Sequence, residues 1–533
     1  MTKSAFLAAA ASAAAVISLN LSTPAQAEWM EAKSPHFIVY GDMSEQDLRN
    51  RTERLERFDS LMRSLLKVQD TLPVSVFVLP AIGDVQKIAH NNRIGGFYNA
   101  DAQLAYMFVP ESLDVNDYGV SAEAVAQHEY THHMLLTNLD LYVPGWASEG
   151  LADFFMTAKL NDDGSITVGA PDNARAYEMV DMGRWTVKDL LTSDSRKVGG
   201  DEEIQKYSRG WAMIDYLWMS GKRPGQYVKF IDLLNKTGDA LAAGREAFGD
   251  LDKLNTEINA WLTHRSLPLS RISAAQLHTP SQITFRRLTA GEAAILPFRM
   301  RSLVGVDDKT APPLADEARP VAAKYPNDTF VQRSLAEMEY DAKHYDAADA
   351  AADRALAADP KNLMAMAYKG RVAAQRARTS HSAADWQAAR SWFLKANAVD
   401  TNHPLPFELY YDSFVAQGQV PPADAVTGLD RAMVLMPQDP SLRARAAVEL
   451  IRSGDLKGAR TVLAPAAFNP DGSEDNPERK LIDQIDKGET AQALLAYVDK
   501  EKFLLLFNDF TGEEVAKEQA KNKGKDGKGK DRN

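Results

Sequence analysis

The pentapeptide His128-Glu129-Tyr130-Thr131-His132 constrains this chain more than anything else in it. On a helix, residues four apart share a face, so both imidazoles can direct a ring nitrogen at one metal ion. Glu129 follows the first of them and would stand beside the ion rather than on it, where a general base for an activated water belongs. A catalytic zinc takes three protein ligands and keeps one position open. Glu149 is placed to be the third, on a second predicted helix after the Pro144-Gly145 break. With ten histidines among 533 residues, chance yields such a pentapeptide on the order of one time in a hundred.

The flanking sequence supports a helix there. Ser121 reads as its N-cap and Glu123 as an acidic first-turn residue, and Met134-Leu135-Leu136 carries it into a core. Asp153 lies one turn after Glu149 and is the expected acceptor for the second ring N–H of a ligand histidine. His133 points about 100° away from His132 on the helix and is expected not to be a ligand. His36, His90 and His264 have no partners at metal spacing along the chain and are read as surface or core histidines.

His-Glu-Tyr-Thr-His, sixteen residues, then Glu-Gly-Leu-Ala-Asp resembles the gluzincin metallopeptidases, the thermolysin-type and peptidase-MA-like group. The resemblance spans roughly 28–266 and is sharpest between Gly95 and Phe155. It implies Zn²⁺ held by His128, His132 and Glu149, with Glu129 taking a proton from water and passing it to the leaving amine. It further implies that the hairpin Ile94-Gly95-Gly96-Phe97-Tyr98-Asn99 to Val109 offers an edge strand, with Gly96, Phe97 and Tyr98 binding substrate by strand addition. An ordinary edge hairpin is the alternative. A gluzincin also places a Tyr or His beside the zinc to hold the oxyanion. Tyr207 is the candidate here, Arg209 the weaker one, and a packing tyrosine the alternative. No acidic motif for capturing a free amino terminus stands near the hairpin, which leans toward an endopeptidase or toward a very restricted natural substrate.

The first 27 residues combine Lys3, an apolar run from Ala5 and an Ala25-Gln26-Ala27 cleavage site, the pattern of a bacterial secretory signal. No later stretch is apolar for long enough to span a bilayer, so the expectation is a periplasmic protein without a transmembrane segment after signal cleavage. The chain has no cysteine, which excludes disulfides and a lipidated N-terminal cysteine. Its net charge of −12 argues against nucleic acid as a partner. From Val515 the sequence is mostly Lys, Gly, Asn and Asp with hardly an apolar side chain, and residues 511–533 are expected to be a disordered tail whose lysines are solvated or touch an anionic surface.

Residues 28–266 alternate strand and helix patterns before turning helical, as a mixed sheet followed by a helical half. Residues 267–313 read as a connector with a hairpin around Ile283 to Phe298. Over 314–465 the chain repeats itself: Ala355, Ala396 and Ala432 each sit in an Ala-rich helix end, 41 and 36 residues apart. That spacing is close to the 34-residue helix pair of tetratricopeptide repeats. A C-terminal helical segment over 466–510 follows. The expected fold is therefore an α+β zincin-like metallopeptidase domain followed by an all-α repeat solenoid. Its function would be zinc-dependent peptide hydrolysis on a peptide or protein substrate, with the repeats recruiting substrate or a protein partner. The alternative is a catalytically silent peptidase-like scaffold whose repeats mediate protein–protein contacts in the cell envelope.

Overall fold

The computed structural model describes residues 29–66, 68, 72–113, 120–137, 142–181, 185–193, 200–264, 266–278, 282–468, 476–512, 514–515 and 517. The expected signal sequence, and the tail beyond Lys517, lie outside them. No described helix is long and apolar enough to cross a membrane.

The N-terminal half is built on β1 (Trp29–Lys33), β2 (Phe37–Asp42), β3 (Val74–Ala81), β4 (Phe97–Ala100) and β5 (Ala105–Ser112). Two strands, β6 (Lys159–Leu160) and β7 (Ile166–Val168), join β8 (Ser270–Ile272) in a small second sheet, and β9 (Thr284–Arg287) returns to the main one. The six-stranded sheet runs β4-β5-β3-β2-β1-β9, with β2, β3 and β5 parallel and the other pairings antiparallel. Parallel neighbours need both faces covered, and the strand sequences supply apolar side chains to both. On one face Phe97, Phe108, Phe77 and Tyr40 stand in register on four adjacent strands, their rings stacked at 5.0, 4.9 and 5.2 Å. On the other face Val39, Val76 and Met107 meet α1 (Glu45–Leu65) and α3 (Ala122–Leu136). The short α2 (Ile82–Ile88) follows β3.

Helix α4 (Gly145–Met156) starts behind Pro144, as the sequence predicts, and α5 (Asn173–Asp181), α6 (Val187–Thr192) and α7 (Asp201–Met219) follow. Three more, α8 (Gln226–Thr237), α9 (Ala240–Phe248) and α10 (Leu251–Trp261), complete this half. Along α10 Leu251, Leu254 and Ile258 are buried on one face, and Leu262, just past its end, is half-buried.

The segment 267–313 is not a connector. Residues 284–287 form β9, which pairs with β1 at the sheet edge. In place of the expected hairpin the chain then enters α11 (Ala290–Leu303), whose Leu296 and Met300 cover the aromatic row of the sheet. Thr289 caps α11 with a reciprocal Glu292 box, a start signal that the weak periodicity of the region obscured.

Beyond it lie α12 (Ala311–Lys324) and successive helix pairs: α13 (Thr329–Asp341) with α14 (Tyr345–Ala358), α15 (Leu363–Ser380) with α16 (Ala383–Val399), α17 (Leu405–Ala416) with α18 (Ala423–Leu435), and α19 (Pro440–Ser453) with α20 (Leu456–Ala467). The alanines singled out by the repeat spacing, Ala355, Ala396 and Ala432, are all fully buried, as close helix contacts require. Helices α21 (Pro477–Asp486), α22 (Ala491–Lys500) and α23 (Phe503–Leu506) end the array.

The two halves share one core rather than meeting at a loose joint. Tyr106 of β5 donates to the Leu303 carbonyl at 2.6 Å. Arg443 of α19, 1% exposed, donates to the carbonyl of Leu136 in the last turn of α3 at 3.1 Å, and to those of Pro437 and Val462. A guanidinium there satisfies a terminal carbonyl and complements the negative end of the helix dipole. Replacing Arg443 with Ala should therefore lower stability by about 2–4 kcal/mol, because buried carbonyls lose their donor. Urea melts of both proteins test this, and a loss under about half a kcal/mol would show that water replaces the guanidinium freely.

Candidate metal centre

Ser121 accepts from the Ala124 amide at 3.2 Å and starts α3 where the sequence predicts. The helix is then fixed in rotation by its inner face: Tyr130, 1% exposed, donates to Asp59 of α1 at 2.6 Å. With Tyr130, Met134 and His133 turned inward, His128, Glu129 and His132 are left half-exposed on the other side. The Nε2 atoms of His128 and His132 lie 3.2 Å apart.

Glu149 comes from α4, which must approach closely to reach them. It does so by crossing α7 at two glycines. A Cβ on Gly150 would fall 2.6 Å from the Gly210 carbonyl carbon, and one on Gly210 would fall 2.3 Å from the Trp146 carbonyl oxygen. Only hydrogen at both positions permits this backbone contact. Glu149, next to the crossing, places its two carboxylate oxygens 3.5 Å from His128 Nε2 and 3.7 Å from His132 Nε2. The three predicted ligands thus form one cluster whose ligand atoms all lie within 4.8 Å of one another.

Behind the cluster, Asp153 is fully buried and its Oδ1 lies 3.3 Å from His128 Nδ1, the position expected of it. Two further residues orient the group without having been legible in the motif. Ser148 Oγ is 3.1 Å from His132 Nδ1. Arg175, on α5, donates to Asp153 from Nε at 2.7 Å and Nη2 at 3.3 Å. The electrostatics follow from this packing. Burial would raise the Glu149 and Asp153 carboxyls; the neighbouring imidazoles for Glu149, and Arg175 with His128 for Asp153, more than offset it and hold both below their usual values. Burial would lower His128, but hydrogen bonds to Asp153 and Glu149 raise it well above the ordinary histidine value.

Gly96, Phe97 and Tyr98 lie where strand β4 begins, at the edge of the sheet. A Cβ on Gly96 would meet Val125 Cγ1 at 2.6 Å and Glu129 Cγ at 3.2 Å, so the strand runs against the stem of Glu129. Both aromatic side chains turn into the protein. Phe97 joins the stacked row, and the Tyr98 hydroxyl is 3.0 Å from His133 Nδ1. His133 is no ligand, and burial pushes it down to about 3, leaving a neutral ring. Tyr207 sits beside the arginine that holds Asp153, with Arg175 over its ring at 5.8 Å and its hydroxyl donating to Glu203 at 3.1 Å. Arg209, the weaker candidate, is ruled out by its position. It is fully buried and its guanidinium binds Asn255 and Asn259 of α10.

His36 was read as having no partners, and it has two. Its Nδ1 lies 2.8 Å from Glu56 and 3.2 Å from Asp59, carboxylates one helical turn apart on α1. The pairing joins the turn between β1 and β2 to α1, so chain spacing could not reveal it. Arg63 also binds Asp59, at 2.9 Å, which balances that charge within the protein. Among the described residues His90 and His264 join no cluster of ligand groups.

No family model matches the chain, and no curated protein matches it.

Two outcomes test the geometry. Asp153→Asn should weaken metal affinity by roughly 10–100-fold, read by competition with a chromophoric chelator; unchanged affinity would show that Asp153 does not orient His128. At His36, burial would lower the pKa, but the Glu56 hydrogen bond and the Asp59 charge outweigh it, so the net shift is upward. Burial would raise Glu56, and the bonds to His36 and Ser34 bring it down. The histidine's contribution is present below about 6.5 and fades as pH rises through its raised value, and the glutamate's is present above about 4.5. The stability difference between wild type and His36→Gln, from urea melts, should therefore peak between those two values and shrink toward alkaline pH.

Proposed function

We propose that the chain is an exported, zinc-dependent peptidase whose paired helices are tetratricopeptide-like and recruit a peptide or protein. The reading rests on one observation above others: two imidazole nitrogens and a carboxylate converge on one point, with Glu129 between the first ligand and an edge strand. The donor set fits zinc. A tetrahedral ion about 2.0–2.1 Å from each nitrogen sets the two nitrogens roughly 3.3 Å apart, against 3.2 Å here. Two nitrogens and one carboxylate leave a fourth position open, which a closed structural site would not. The apolar leader and the Ala25-Gln26-Ala27 site support export.

When bound, zinc supplies Lewis-acid activation of water near neutral pH. The residues of the chain would do the rest. His128 and His132 bind through Nε2, held in orientation by Asp153 and Ser148 on their Nδ1 atoms. Arg175 keeps Asp153 ionised and fixed. Glu129, half-exposed and bound by no ligand role, takes a proton from water and returns it to the departing amine. The backbone of Gly96 to Tyr98 aligns an extended substrate by strand pairing. Tyr207 is the candidate donor to the carbonyl oxygen in the transition state.

The mature protein and a Glu129→Gln variant would be compared for zinc content and for cleavage of an unstructured protein. About one zinc in each, with cleavage falling by roughly 10²–10⁴-fold in the variant, is expected of a general base. Zinc in both with no cleavage by either would favour the silent scaffold, and no zinc in either would overturn the site.

A further inference from the structure

A surface shared by α15, α16, α17 and α19 is already covered, and the chain itself covers it. After α23 the backbone leaves regular helix, and residues 507–511 lie against α15, α16, α17 and α19. Asn508 and Phe510 are each 3% exposed. The expected solvated tail therefore begins later than residue 511: Val515 is 7% exposed, and Lys517 pairs with Asp308. The physical reason is the apolar Val515, which packs inward, and the Lys517–Asp308 ion pair.

The manner of docking is that of a groove reading a peptide rather than of elements packing on one another. Side chains of the helices satisfy the segment's main chain. Asp412 of α17 accepts from the Asp509 amide at 2.8 Å, Arg445 of α19 donates to the Phe507 carbonyl, and Arg378 of α15 donates to the Phe510 carbonyl at 2.5 Å. Two side chains are then recognised individually. Arg371 grips the Asp509 carboxylate with Nη2 at 2.8 Å and Nε at 3.1 Å, a bidentate fork that matches a carboxylate in both charge and shape. Phe510 inserts beside Phe393 and Trp386, with ring centroids 6.1 and 6.4 Å away. Main-chain bonds supply generic affinity, while a charged fork and an aromatic pocket supply selectivity. A cavity of about 360 Å³ is lined by Asp509 and Phe510 together with Asp101 and Gln103, in the turn that follows β4. The groove thus has room beyond its present occupant, next to the hairpin that carries the edge strand.

We propose that this groove is a peptide-binding site held closed in cis by residues 507–511, and that its partner is a protein presenting the same chemistry: a carboxylate side chain immediately followed by an aromatic, in irregular backbone. The inference deepens the recruiting role given to the helix pairs and stands apart from the zinc chemistry, so its test uses no activity. A partner would displace the segment and take over the Arg371 fork and the Phe393–Trp386 pocket.

The test uses the full chain and, as probe, a fluorescein-labelled synthetic peptide of residues 505–515, followed by anisotropy. A protein whose groove is filled binds an external ligand more weakly in proportion to the open fraction. The Asp509→Ala/Phe510→Ala protein should accordingly bind the peptide at least ~10-fold tighter than wild type. A peptide carrying Asn in place of the Asp509 carboxylate should lose most of that gain. Equal or absent binding by a double variant that still melts cooperatively would overturn the proposal and leave the segment as a fixed strap. Should the double variant fail to melt cooperatively, hydrogen exchange of wild type decides. Amides of 507–511 opening at least ~10-fold faster than those of α15, α17 and α19 would mark a separable ligand. Exchange together with those helices would refute it.

Discussion

The contact of Gly150 with Gly210 is the constraint on which the candidate centre depends. Two helices that touch backbone to backbone have almost no freedom to slide, and the residue next to the crossing is Glu149. Its carboxylate must face two imidazoles presented by a third helix, so an error in the α4–α7 distance translates directly into a lost ligand. A methyl group at either glycine would push the helices apart by more than the tolerance of a metal–ligand bond. The rotation of α3 is fixed independently, by the buried Tyr130–Asp59 hydrogen bond. Each half of the ligand set is thus locked by core packing and not by the ligands themselves.

The helical half is part of the same rigid frame. Strand β9 extends the main sheet, α11 seals its aromatic row, and Arg443 ties α19 to the last turn of the helix that bears both histidines. Buried polar groups concentrate at this junction. Arg445 lies between Glu408 and Asp412, and Arg371 between aromatic rings and Asp509. Charges so placed add little net stability, but removing one partner would leave the other buried and unpaired.

Much of the local structure was legible because it is local. Ser121 as cap and the break at Pro144 are each decided by residues a few positions apart. The cluster was legible for the same reason: His128, His132 and Glu149, with Asp153 behind them, are related by helical turns and one short connection. Where the reading failed, the relevant partners were remote in the chain. His36, in the turn between β1 and β2, finds its carboxylates twenty and more residues away on α1. The segment 267–313 looked irregular because a four-residue edge strand has too little sequence to show a period, and its pairing partner lies at the other end of the domain.

The sequence by itself determined the chemistry this protein can hold: which helix carries two imidazoles on one face, which acid can join them, and which acid stands behind. A period of 3.6 residues is enough to put both imidazoles on one face of a helix, and Asp153 one turn from Glu149. Only the tertiary structure decided what surrounds that chemistry. Arg175 on Asp153, Gly210 under Gly150, Arg443 on Leu136 and Asp509 in the Arg371 fork are contacts between elements whose separation along the chain carries no information. They exist because close packing of the whole fold brings those surfaces together, and no local pattern encodes which surfaces will meet.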